Sequence, residues 1–196
     1  MSSKRIARLA MVASVIVVAY GVDSAITSGM ILLGATFRIA VATVVVTLTL
    51  VQLFDLKTAV FATTVFGLVS FVGAYVFPTP TSVYFVQPHI SILPRIVIGF
   101  VSYGVYKGLS RVMASKTSIF WREYFPRAAA GGAGALTNTV LVLSLIATAG
   151  GTDALKSVIA FVLSVNFAIE FFSAVIIVPT LARTLEKSSA LRAIRG

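Results

Sequence analysis

Apolar residues run along this chain in long blocks, separated by short polar, basic or proline-bearing stretches. The blocks fall at 6–28, 37–54, 58–77, 89–113, 127–149 and 155–182. A helix needs roughly 20 apolar residues to cross the hydrocarbon core of a bilayer, so each block predicts a membrane-spanning helix. The expected fold is all-α: one domain, an integral membrane bundle of six transmembrane helices. The first block is no ordinary secretory signal, because its apolar run is long and no small-residue cleavage site with a soluble body follows. Between the third and fourth blocks, PTPTSVYFVQP holds Pro78, Pro80 and Pro88, which predicts a loop. Pro94 fits the first turn of the fourth helix. Gly150-Gly151 is expected to end the fifth.

Composition sharpens this picture. The chain has 196 residues, of which 58% are apolar and 11% charged, and its mean hydropathy is +1.01. Soluble domains carry roughly 25% charged residues, and disorder requires low hydrophobicity, so both classes are excluded. Cysteine is absent and His89 is the single histidine. Disulfides, thiol catalysis, Cys-built metal sites and a multi-histidine centre are therefore ruled out within one chain.

The net charge is +10, and the placement of the charges explains it. Six spans put both termini on one side of the membrane. Thirteen of the sixteen Lys and Arg residues then share that side: Lys4, Arg5 and Arg8, Lys57, the group from Lys107 to Arg127, and the C-terminal group from Arg183 to Arg195. Only Arg38, Arg95 and Lys156 fall on the other. The positive-inside bias makes the thirteen-residue side cytoplasmic, so nucleic acid is not needed to account for the charge. Trp121 and Tyr124 beside Arg122 read as interfacial anchors.

Catalytic signatures are missing. There is no Gly-Lys dipeptide, hence no phosphate-cradling nucleotide loop, and no nucleophile elbow or paired-histidine zinc motif. The six carboxylates, Asp23, Asp55, Glu123, Asp153, Glu170 and Glu186, are spread out rather than clustered around a metal. Neither an enzyme nor a cofactor is expected.

What remains is a set of polar groups in apolar spans, each costly in a bilayer. Glu170 falls near the middle of the sixth span, with Asn166 one turn earlier on the same face. Asn138 centres Thr137-Asn138-Thr139 in the fifth. Arg95 lies near the outer end of the fourth, preceded by Gln87 and His89, and Arg38 near the outer end of the second. One reading is a polar ligand pocket in the outer half of the bundle. Asn138 and Asn166 would bond the ligand, Arg95 or Arg38 would hold an anionic group, Glu170 would take a donor, and Phe161, Phe167 and Phe171 would form apolar walls. The competing reading is structural: Glu170 and Asn138 bonding each other or backbone, Arg38 snorkelling, Arg95 capping the outer loop, and Asp23 at the aqueous end of the first helix. In the first span Ala7, Ala10, Ala13 and Ser14 place small residues on one side. Such spacing lets helices approach closely, either within the bundle or against a partner.

These residues resemble a known family, the substrate-binding S components of energy-coupling factor (ECF) transporters, which import vitamins into prokaryotes. QPHISILPRIVIGFVSYGVYKGL (87–109) is similar to that family's segment of Asn or Gln, Pro, a short apolar run, Pro-Arg, Gly, and a Tyr-Lys or Tyr-Arg ending. GALTNTVLVL (134–143) is similar to its Thr-Asn-Thr segment, and Ala10-x-x-x-Ser14 to its A-x-x-x-A motif, with serine replacing the second alanine. The resemblance implies a multi-pass protein of the cell membrane with both termini cytoplasmic. Such a protein captures a B-type vitamin or precursor from outside and delivers it through a transmembrane T component and two cytoplasmic ATPase subunits. It implies substrate binding by Arg95 and Asn138 first, then Asn166, Glu170, Arg38 and Gln87, and docking through Ala10 and Ser14. The matching stretches look closest to pantothenate-type members, so pantothenate is the first choice, followed by pyridoxine or its precursors, riboflavin and folate. The alternative is a self-sufficient secondary transporter coupled through Glu170. It is opposed by the lack of an inverted repeat and of a second intramembrane acid.

Overall fold

The computed structural model describes residues 3–32, 40–78, 82–161 and 167–188, with backbone alone over 150–161. Arg38 and Asn166 lie outside the described residues. All regular structure among the described residues is helical: α1 (Ser3–Leu32), α2 (Val41–Leu53), α3 (Leu56–Val76), α4 (Ser82–Phe85), α5 (Pro88–Ser91), α6 (Leu93–Val112), a π turn (Phe120–Tyr124), α7 (Phe125–Phe161) and α8 (Phe167–Lys187). Five of these segments are long and apolar enough to cross a membrane, which makes this a multi-pass membrane protein.

The shorter α2 sits at the centre. At about 1.5 Å per residue its thirteen residues reach only about 20 Å, less than the roughly 30 Å of a hydrocarbon core. Ten of them are buried, against α1, α3, α6, α7 and α8. Its sequence, VATVVVTLTLVQL, is apolar all round, as a helix enclosed on every side should be. Its neighbours turn outward residues such as Val18, Val72, Phe172 and Ile176 to the surroundings. Several threonines in the bundle bond back to their own helix: Thr49 of α2 to the Val45 carbonyl at 2.7 Å, Thr64 of α3 to Val60 at 2.8 Å, Thr137 of α7 to Ala133 at 2.7 Å. This is the usual way a hydroxyl is satisfied inside a helix.

Two expectations change. Gly150-Gly151 lies inside α7, which continues to Phe161. A helical glycine costs only about 1 kcal/mol, and a chain out of water keeps its backbone bonded internally, so two glycines do not break the helix. The proline-bearing loop folds into the one-turn helices α4 and α5, with Pro88 in the first turn of α5 where its missing N–H is harmless.

Close helix contacts rest on small residues. A Cβ on Gly131 would meet the Ala174 carbonyl oxygen at 2.6 Å, and one on Gly134 would meet Leu48 Cδ2 at 2.5 Å. The main core cluster gathers Val12, Ile16, Val44, Leu48, Phe66, Ile98, Ala135 and Val178. A second, smaller cluster of Ile90, Val142 and Ile146 lies under the α4–α5 loop.

The two ends differ in character. At one, Arg8 pairs with Asp55 at 3.6 Å, and Gln52 donates to the Arg127 carbonyl at 3.0 Å. Arg127 donates to Glu186 at 2.5 Å and to the Tyr106 hydroxyl at 3.2 Å. These contacts tie the start of α1, the α2–α3 turn, the end of α6, the start of α7 and the end of α8 into one basic face. The other end holds the α4–α5 loop, the end of α1 and the start of α2.

Candidate functional site

The loop end is organised by two buried charges. Arg95, in the first turn of α6, is 6% exposed. Its Nη1 donates to the Ile90 carbonyl at 2.9 Å, and its guanidinium lies 5.5 Å from the Phe66 ring and 5.3 Å from the Phe85 ring. Cation–π contact of this kind stabilises a desolvated guanidinium by about 2 kcal/mol. Arg95 thus ties α3, α4 and the end of α5 to the mouth of α6. Gly67 makes room for it, since a Cβ there would meet Ile92 Cα at 2.9 Å and the Ser91 carbonyl at 3.2 Å. The loop is further held by Tyr75, whose hydroxyl donates to the Val86 carbonyl at 3.2 Å, and by Ser91, which donates to the Phe85 carbonyl.

Asp23 is the second charge. The structural reading of the polar groups sets it at the aqueous end of α1, but it is 1% exposed. Its carboxylate accepts from Ala42 N at 2.9 Å, Thr43 N at 2.7 Å and Thr43 Oγ1 at 2.5 Å. The residue at the N-cap of α2 is Ala40, which supplies no side-chain bond. Asp23 therefore caps α2 from a neighbouring helix, satisfying N–H groups that would otherwise be orphaned and placing negative charge where the helix dipole favours it.

One turn below Arg95 is a narrow cleft lined by Thr47, Phe66, Ile98, Gly134 and Asn138. Its volume is about 10 Å³, room for about one water. Thr47 Oγ1 and Asn138 Oδ1 are buried there without a hydrogen-bond partner among the described residues. Two buried acceptors facing one cleft form a polar spot that a water or a ligand hydroxyl would satisfy, at a cost of about 1–3 kcal/mol each when left bare. Phe66 joins the two features, touching Arg95 above and lining the cleft below. A wider cavity of about 320 Å³ opens at the same end, between Ser24, Thr27 and Ser28 of α1 and Val76, Phe77 and Pro78. That is the lower end of the size range of small-molecule pockets, about 300–1,000 Å³.

The residues singled out from sequence divide. Arg95 and Asn138 come together around Phe66. Glu170 is buried at 6% exposure, in the described part of α8. Gln87 is half-buried, and its backbone carbonyl accepts from Ile90 and Ser91 at 3.1 Å each, which makes it a loop-shaping residue. His89 is exposed. Phe167 and Phe171 meet in a tilted pair at 5.5 Å, and Phe171 packs over Gly132. The Phe161 side chain lies outside the described residues. Ala10 and Ser14 are both exposed on α1. No group of three or more potential metal ligands occurs among the described residues.

Thr47, Phe66 and Asp23 are the additions the structure makes. Nothing in the sequence, which starts this helix at residue 37, signals that Ala40 would leave α2 in need of an outside acceptor. Thr43 and Thr47, four residues apart, also share a helix face.

A scan against known protein families finds no match. The chain is 30% identical over 141 residues to the pantothenic acid transporter PanT of Lactococcus lactis subsp. cremoris. The alignment covers 63% of this chain and 66% of the transporter, just under two thirds of its length. The chain is therefore similar to a vitamin transporter, in agreement with the resemblance to S components read from its Pro-Arg and Thr-Asn-Thr segments.

Proposed function

We propose that this protein is the substrate-binding S component of an ECF-type importer, that its ligand is pantothenate, and that it works with a T component and two ATPase subunits. The observation that carries this reading is the similarity to a pantothenic acid transporter over 141 residues. The buried cation Arg95 and the bare acceptors of Thr47 and Asn138 support it chemically. Pantothenate has one carboxylate and several hydroxyl and amide groups, and these residue types match them: a guanidinium for the carboxylate, and amide and hydroxyl side chains for the rest. Glu170, with Asn166, Arg38 and Gln87, completes the proposed pocket. The 10 Å³ cleft is too small for such a ligand, so binding requires α6 and the α4–α5 loop to move apart from α7. The basic face is proposed as cytoplasmic, with both termini on it. Exposed Ala10 and Ser14 are the proposed contact with the T component.

The test is calorimetry and thermal stability of detergent-purified protein against a panel of B vitamins. Pantothenate at 100 times its dissociation constant should stabilise the fold by about 2.7 kcal/mol. Asn138→Ala should weaken binding at least ten-fold while the protein stays monodisperse. Leucine at Ala10 and Ser14 should abolish uptake in cells and leave binding intact. A folded sample that no vitamin stabilises would overturn the ligand assignment. Uptake into vesicles holding this chain alone would overturn the importer-subunit reading in favour of secondary transport.

A further inference from the structure

The basic end carries a cavity of about 360 Å³ between the end of α6, the π turn, the start of α7 and the last turns of α8. Arg122, Arg127, Arg183 and Lys187 line it with two carboxylates, Glu123 and Glu186. Four cations against two carboxylates leave an excess of two positive charges in a concave site. The carboxylates orient the arginines: Arg127 donates to Glu186 at 2.5 Å and Arg183 to Glu123 at 2.8 Å. Tyrosine hydroxyls steady the same two guanidinium groups, Tyr106 at 3.2 Å from Arg127 and Tyr124 at 2.9 Å from Arg183. The site is thus preorganised, with Arg127 almost wholly buried and Arg122 half exposed at its mouth.

Beside it lies an apolar shelf. Ile119, Phe120 and Trp121 are all exposed, and Trp121 packs between Phe120 and Phe125 at ring distances of 5.3 and 5.0 Å. Exposed aromatic side chains next to a basic cavity mark the depth at which acyl chains meet headgroups. We propose that this cavity binds the phosphodiester headgroup of an anionic lipid, phosphatidylglycerol being the simplest, with the acyl chains lying on the Phe120–Trp121 shelf. A zwitterionic lipid brings its own ammonium group into a site that is already positive, so it binds less well. The ligand chemistry is that of a phosphate, and a soluble phosphate ester could supply it too. The aromatic shelf favours the lipid.

The experiment uses the full chain in a neutral detergent. It is titrated separately with short-chain phosphatidylglycerol, short-chain phosphatidylcholine and glycerol phosphate, read by melting temperature and by native mass spectrometry of adducts. Phosphatidylglycerol should raise the melting temperature and form adducts that phosphatidylcholine does not, and high salt should weaken both effects. The double variant Arg122→Gln/Lys187→Gln should hold its lipid-free melting temperature to within a few degrees, because the Arg122–Glu123 pair at 3.3 Å is partly solvent-exposed. It should lose about 25-fold in affinity, at about five-fold per basic residue near a lipid surface. If that variant fails to fold, Lys187→Gln alone, in the exposed last turn of α8, should lose about five-fold. Equal responses to the two lipids, or unchanged phosphatidylglycerol affinity in the folded variants, would overturn the proposal. Glycerol phosphate that produces the same saturable shift and displaces lipid adducts would support the phosphate chemistry and overturn the lipid as its source.

Discussion

Removing the Asp23 carboxylate is expected to loosen the central helix rather than the ligand site. Asp23 accepts two backbone N–H bonds and one hydroxyl bond at the start of α2, in a position 1% exposed. In Asp23→Ala the buried Thr43 N–H loses its acceptor, at about 1–3 kcal/mol, and the part-buried Ala42 N–H loses one that water replaces in part. The bond to a charged acceptor and its attraction to the helix dipole are lost with them. The sum is about 2–4 kcal/mol, above the 0.5–2 kcal/mol typical of caps bordering solvent. In Asp23→Asn one carbonyl oxygen remains to accept one N–H, so the loss falls to about 1–3 kcal/mol. At roughly 2–4 °C per kcal/mol for a chain of this size, the alanine variant should melt about 10 °C lower and the asparagine variant about 5 °C lower. The assay is recovery of monodisperse protein by size exclusion after heating, with ligand affinity measured below the transition. An alanine variant melting within 2 °C of the parent, or an asparagine variant less stable than the alanine one, would refute the capping argument.

Other substitutions test packing, the cleft and the charged turn. Gly131→Ala drives a methyl group to 2.6 Å from the Ala174 carbonyl and should cost about 1–3 kcal/mol by overpacking. Gly104→Ala meets nothing within 4 Å and should gain about 0.5–1 kcal/mol of helix propensity; equal melting temperatures would defeat the packing assignment. Thr47→Val removes a bare buried hydroxyl without changing volume much, so the ligand-free protein should gain about 1 kcal/mol while vitamin affinity falls several-fold. A variant with both quantities unchanged would take Thr47 out of the pocket. Asp55 lies outside the spans, at the N-cap of α3. Partial burial works to raise its pKa, but the Thr58 hydroxyl at 2.7 Å and the charge of Arg8 outweigh it, holding the carboxyl below its usual value. Its contribution is complete above about pH 4 and is lost as pH falls through the lowered value. Because Asp55 is half exposed, that contribution is under about 1 kcal/mol. Melting curves between pH 3 and 6 should be slightly flatter for Asp55→Asn than for the parent, and parallel curves would remove the claim.

Much of the fold was legible because a bilayer imposes simple rules on sequence. Long apolar blocks, the proline-bearing interruption and the placement of sixteen Lys and Arg residues are local or additive properties, readable without knowing which helix touches which. The same holds for Arg95 and Asn138, since a charge or an amide in an apolar span stands out from its neighbours. Boundaries were less legible. Glycines at 150–151 end helices in water, where freed backbone groups find solvent, but α7 runs through them.

Partnership was decided by tertiary structure alone. Asp23 and the start of α2 are twenty residues apart, and only packing of α1 on α2 turns an apparent surface acid into an internal cap. Thr47 resembles every other threonine of its helix, yet it faces Asn138 across a cleft where Thr49 bonds its own backbone. Hydropathy records what each residue costs when it is buried. Which residues share that cost is fixed by the directions in which side chains leave their helices once the helices have packed.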